Sequence, residues 1–179
     1  MARIYSNHMN TTGVAVLAAS TTLTTPPVQL SAGVVHARLR KKIARITIGT
    51  AAVDDEVRMM TFRSSDRIGA VYLMCDAGST ALIADVGLYL AGSAHDGAVK
   101  DRDLFASALV INGGIARGDV FVESTACDDE DRWKQAWELP GMSYTVDPKV
   151  DFDLVLTPTV ALTTAVTEVV VEVDYTSGV

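Results

Sequence analysis

Asp151 and Asp153 stand two residues apart in Val150-Asp-Phe-Asp-Leu-Val-Leu-Thr157, and on a strand of two-residue period both carboxylates leave from one face. Paired acids across the cleft of a β-sandwich are what glycoside hydrolysis needs, one to protonate the leaving oxygen and one to act as nucleophile or base. Alternation supplies such acids to the wet face of any half-buried strand, and nothing beside this pair raises a carboxyl pKa as a general acid requires. The solvated face is therefore the reading that the two residues favour. Nucleophilic catalysis has even less to start from, because no G-x-S-x-G elbow occurs. His8, His36 and His95 have no partner at H-x-H or H-E-x-x-H spacing. The run Asp128 to Asp131 lacks the D-x-[DN]-x-[DN]-G order of a calcium loop and suits the start of a helix, where the dipole favours acids. Gly113-Gly114 is a turn with no GK[ST] after it. Cys75 and Cys127 match neither C-x-x-C nor a zinc spacing; Cys75 reads as a small buried thiol, and a reducing compartment would suit both. These residues describe a chain that is not an enzyme and takes no cofactor and no metal.

Two other groups point to binding. In His36-Ala-Arg-Leu-Arg-Lys-Lys-Ile-Ala-Arg45 the residues Arg38, Arg40 and Lys42 alternate onto one strand face, with Arg45 closing the run, and such a face could grip an acidic protein surface or simply be solvated. Trp133 and Trp137 are the only tryptophans. On a helix they would share a face with Ala136, either plugging the end of a sandwich or anchoring a partner. Formal charge is −7 overall but uneven: residues 1 to 67 hold nine basic and four acidic side chains, net +5, and the rest hold six and eighteen, net −12. The total argues against direct nucleic-acid binding, and the polarity favours docking of one end on a surface of opposite sign. No run reaches the roughly 18 apolar residues of a membrane span.

The elements that must position these groups are strands. With 179 residues and 49% hydrophobic side chains the chain suits one core. Residues 1–35, rich in Thr, Ala and Pro, have no sustained period, and Pro26-Pro27 favours extended backbone. They read as an extended N-terminal arm, whose apolar Val28 and Leu30 could lie on a neighbouring subunit. Residues 36–179 read as a single domain. Strands are expected over 43–48, 57–62, 68–75, 84–90, 109–111, 120–125, 150–157 and 169–175, with 68–75 central because both its faces are apolar. Helical turns are expected at Asp101–Ala108 and a short helix at Asp128–Leu139, stopped by Pro140-Gly141. The two clearest strands, 150–157 and 169–175, should pair antiparallel. The fold class is all-β, an antiparallel β-sandwich with one short helix.

Ala84-Asp-Val-Gly-Leu-Tyr-Leu90, the turn at His95-Asp-Gly97, Asp101-Arg-Asp-Leu-Phe-Ala-Ser-Ala108, Trp133-Lys-Gln-Ala-Trp-Glu-Leu-Pro-Gly141, Asp151-Phe-Asp-Leu-Val-Leu-Thr157 and Val169-Val-Val-Glu-Val-Asp-Tyr175 follow one another in an order that resembles small virion proteins of tailed bacteriophages, the capsid decoration or cement type. The likeness spans residues 43 to 175. It implies a jelly roll and a protein of the virion capsid, made in the host bacterial cytoplasm. It also implies the major capsid protein as partner and a homodimer or homotrimer. Arg38, Arg40, Lys42, Arg45, Val28, Leu30, Trp133 and Trp137 would then be the interface. A tail or head-to-tail connector protein and a carbohydrate-binding sandwich are the alternatives.

Overall fold

In the last strand Val169, Val171 and Val173 are buried while Glu172 and Asp174 leave from the opposite face, so hydrophobic alternation alone decides which side meets the core. The same rule builds the rest of the computed structural model, which describes residues 3–4, 17–18, 39–48, 51–75, 83–111, 114–161 and 166–178. The chain divides into two units, Met1–Ala37 and Arg38–Val179. The first contributes β1 (Arg3–Ile4) and β2 (Leu17–Ala18), an antiparallel pair with Arg3 opposite Ala18. The expected arm otherwise lies outside the described residues, and Val28, Leu30 and Arg38 lie outside them too.

The second unit holds β3 (Leu39–Ile48), β4 (Val57–Arg63), β5 (Arg67–Cys75), β6 (Ile83–Leu90), β7 (Val99–Val110), β8 (Ile115–Asp119), β9 (Asp151–Pro158) and β10 (Val166–Thr176). They form two four-stranded sheets in the orders β3-β10-β5-β8 and β4-β9-β6-β7, with every pairing antiparallel. That order is the eight-stranded jelly roll, in which four strands fold over the other four. The core fills with Phe62, Phe105, Phe121, Phe152, Ile68, Leu73, Leu88 and Leu154, all nearly or fully inaccessible. The strand at 68–75 is central, as its two apolar faces require.

Four expectations are corrected. Strands β9 and β10 do not pair; they lie in opposite sheets, because β9 zips between β4 and β6 while β10 zips between β3 and β5. Asp101–Ala108 is the middle of β7 and not helical. Its backbone is taken up by β6 through an irregular register, which lets Leu104, Phe105 and Ala106 all be buried, and a run this short cannot repay helix nucleation. Val120–Thr125 leaves the sheet after β8: Phe121 turns inward onto Phe105, ring centroids 5.2 Å apart, and the Ser124 N–H donates to the Phe105 carbonyl. Asp128–Leu139 forms turns with a single 3₁₀ turn at Ala136–Glu138. Its N–H groups are drawn to the start of β5 instead, beyond the residues that β8 pairs, Trp133 donating to Ile68 O at 2.8 Å and Ala136 to Asp66 O at 2.8 Å. The acids there organise turns, as in the Glu130 N–H donating to Asp128 Oδ1 and the Asp128 N–H to Asp131 Oδ2.

Candidate functional site

Strand β3 is an edge strand, paired among the described residues with β10 alone. An open edge is a template for another strand, and Lys and Arg are the usual means of guarding it. Arg40, Lys41, Lys42 and Arg45 stand there beside Leu39 and Ile43, which are 64% and 61% exposed. Register separates the basic residues into two sets. Lys41, Ile43 and Arg45 pair with Asp174, Glu172 and Val170 and therefore share the outer face, whereas Arg40 and Lys42 pair with the core residues Tyr175 and Val173 and face inward at the mouth of the sandwich.

On the outer face Lys41 bonds Glu172, and Arg117 of β8 bonds the same carboxylate at 2.6 Å while its guanidinium lies 3.4 Å from the Tyr72 ring centre. The row Lys41, Glu172, Tyr72, Arg117 crosses all four strands. The Lys41 hydrogen bond, then that of Arg117, holds the Glu172 carboxyl below its ordinary range. Arg45 pairs with Glu168 at 2.8 Å. None of this row was legible in the sequence, since Lys41, Tyr72, Arg117 and Glu172 meet only through strand order.

On the inner side Lys42 Nζ donates to the Thr61 carbonyl of β4 and lies 4.6 Å from the Phe62 ring centre and 5.0 Å from that of Tyr175. Burial of the ammonium lowers its pKa, with Asp66 and Asp151 opposing and Arg63 adding to the fall. Arg40, Lys42, Arg63, Asp66, Asp151 and Ser177 line a cleft of about 330 Å³ here, with Phe62 and Tyr175 beneath.

The tryptophans do not share a helical face. Trp133, at φ 67°, is 40% exposed and lies across Gly69 of β5, where a Cβ would collide with the indole. Trp137 is half-buried against the core, its Nε1–H donating to Gln135 Oε1 at 2.7 Å. Asp151 and Asp153 also part company. Asp151 is exposed, but Asp153 is 1% exposed and accepts hydrogen bonds from Thr61 Oγ1 at 2.7 Å and Arg58 at 3.0 Å, with His95 Nδ1 at 2.9 Å. Burial pushes its carboxyl upward, yet those three partners outweigh it and the pKa falls below the ordinary value. The expected wet-face aspartate is thus a buried ionic hub, because Arg58 and the turn at His95 close over it. A depressed carboxyl is the opposite of what a general acid needs.

Cys75 and Cys127 are not joined by a disulfide; burial pushes the Cys127 thiol up to about 12. No helix among the described residues is long and apolar enough to cross a membrane.

No protein-family model matches the chain, and no curated protein matches it. Among solved structures it is similar to a protein of the cyanophage Pam1 capsid asymmetric unit, at 14% identity and a TM-score of 0.46 over 90% of this chain and 97% of that one. It is also similar to the VP2 subviral particle of infectious bursal disease virus, at 11% identity and a TM-score of 0.33 over 92% of this chain and 46% of that one. Both neighbours come from viral particles; at these scores they add nothing to the strand order, which establishes the jelly roll by itself.

Proposed function

We propose that this chain is a virion structural protein of the capsid decoration type, which sits on or between major capsid subunits and reinforces the shell. The order of sequence elements that resembles phage virion proteins suits this reading, as does a fold that viral capsid domains use among others. The observation that carries it is the open β3 edge, where the exposed Leu39 and Ile43 stand beside Arg40, unpaired among the described residues, and beside Lys41 and Arg45, whose ion pairs with Glu172 and Glu168 lie at the surface. Apolar anchors beside cations suit an acidic protein surface. Self-association into dimers or trimers would let several weak contacts act together, so that effective concentration supplies the affinity. Residues 1–35 serve as the tether and β3 as the docking strand.

Deletion of residues 1–30 is expected to lower the copy number on purified heads several-fold while the melting temperature of the remaining domain stays put; unchanged occupancy would remove the tether. Labelled protein imaged on particles distinguishes decoration, with copies over the whole head, from a tail or connector protein confined to one vertex. The half-exposed Trp133 favours the carbohydrate-binding alternative in one respect, and a glycan array without hits would remove it.

A further inference from the structure

The cleft between the β3 and β4 edges has donors that nothing nearby uses. Among the described residues the Arg40 and Arg63 side chains meet no acceptor, and Lys42, with three N–H donors, gives one to Thr61 O. The acceptors are mostly spent: Asp66 Oδ2 takes the Arg63 N–H at 3.0 Å and Oδ1 takes the Gly178 N–H at 3.2 Å. Asp151 is the one carboxylate there whose oxygens stay open. Two planar guanidinium forks and a partly desolvated ammonium form a receptor for an oxyanion, and the fork geometry fits a carboxylate two bonds at a time.

We propose that this cleft binds a carboxylate of an acidic peptide segment, with Arg40 and Arg63 on the carboxylate, Lys42 beneath it and Asp151 accepting a neighbouring peptide N–H. Asp151 sets the class. A phosphate dianion would be repelled by it, whereas a peptide offers one negative charge next to an N–H donor. Nucleic acid fits poorly, because Phe62 is 1% and Tyr175 8% exposed beneath Lys42 and neither offers a face for a base to stack on. A volume of about 330 Å³ lies at the lower end of small-ligand sites, enough for one side chain and its flanking peptide groups. The site would stand whether or not the chain decorates a shell, so it is tested apart from that reading.

The carboxylate could come from a side chain or from a chain terminus, and three probes titrated into the full chain by calorimetry distinguish the sources: an acetylated, amidated Ser/Glu pentapeptide, a Ser/Gln pentapeptide with a free C-terminal carboxylate, and inorganic phosphate. Saturable binding of either peptide, with phosphate weaker, supports the proposal and names the source. Arg40→Gln and Arg63→Gln should each then weaken it about tenfold or more, the loss expected when a charged hydrogen-bond partner goes. Asp151→Asn should narrow the gap between peptide and phosphate. Phosphate binding tighter than both peptides, no saturation by either peptide, or peptide affinity within twofold of the parent in the double arginine variant would each overturn it. Arg40 is on the exposed edge, and unchanged circular dichroism verifies that the variants fold.

Discussion

Asp153 is the residue whose environment differs most from what its neighbours along the chain imply. Its carboxylate is closed off under Arg58, Thr61 and His95, and an ion taken out of water is tolerable only while its partners remain. Asp153→Asn should therefore destabilise the domain by about 3 kcal/mol, the lower end for breaking one side of a buried pair, seen as a fall of roughly 10 °C in thermal unfolding. His95→Ala should cost less than about 1 kcal/mol, since His95 is mostly exposed and Arg58 and Thr61 still hold the Asp153 carboxylate. Equal losses in the two variants would contradict the hub. Asp151, on the same strand and the same predicted face, is exposed and belongs to the cleft. Two acids with one periodicity thus differ because Arg58 and the 91–98 turn cover only one of them.

At the scale of elements, two glycines mark where one segment crosses close above another. Gly69 lies under the Trp133 indole and Gly87 under the backbone carbonyls of Asp101 and Arg102. An indole that is 40% exposed can swing off its seat, so Gly69→Ala should red-shift tryptophan emission for a loss of about 1 kcal/mol. The β7 backbone cannot move without breaking its register with β6, so Gly87→Ala should cost about 3 kcal/mol, the upper end of overpacking. Chemical denaturation of the two variants checks the order, and the reverse ranking would mean that β7 is looser than its pairing implies. Leu104 and Phe105 are buried as the apolar pattern of the segment suggests, but they fall where the register of β7 on β6 shifts, and an apolar pair inside such an irregularity breaks the two-residue period by which a strand is read. The segment 128–139 misleads for another reason: acids that suit a helix start suit turns equally well, and the carbonyls at the start of β5, beyond the reach of β8, take N–H groups that a helix would use.

For the whole molecule, several carboxyls are held below their ordinary range by the folded state: Glu172 by Lys41 and Arg117, Asp147 by the Ser64 hydroxyl and the Lys149 N–H, and Asp131 and Asp153 by partners that outweigh the opposing effect of burial. A carboxyl with a depressed folded pKa adds stability that is fully present above its unfolded value, about 4, and is lost as pH falls through the folded value. Melting temperature should accordingly be level between about pH 7 and 5 and drop below about pH 4, with the drop shallower in Asp153→Asn, which has one such proton fewer to take up. A melting temperature flat down to pH 3 would mean that these pairs contribute nothing. Basic residues of β3 and β4 meet acids from the later part of the chain. Among the described residues some of that charge is spent inside the domain, as in Lys41 with Glu172 and Arg58 with Asp153, while Arg40, Lys42 and Arg63 gather at the cleft.

The all-β class, the central place of 68–75 and the inward residues of the last two strands can be read along the chain, because the apolar pattern of a strand is a local property that the core simply reads out. The folded chain adds that β9 and β10 lie in different sheets, that the face shared by Arg40 and Lys42 opens on a cleft with Arg63, and that Asp153 is buried while Asp151 is not. Strand order and sheet-to-sheet closure join residues more than a hundred positions apart, as Lys41 and Glu172 are joined, and no periodicity along the chain encodes which strand becomes the neighbour of which.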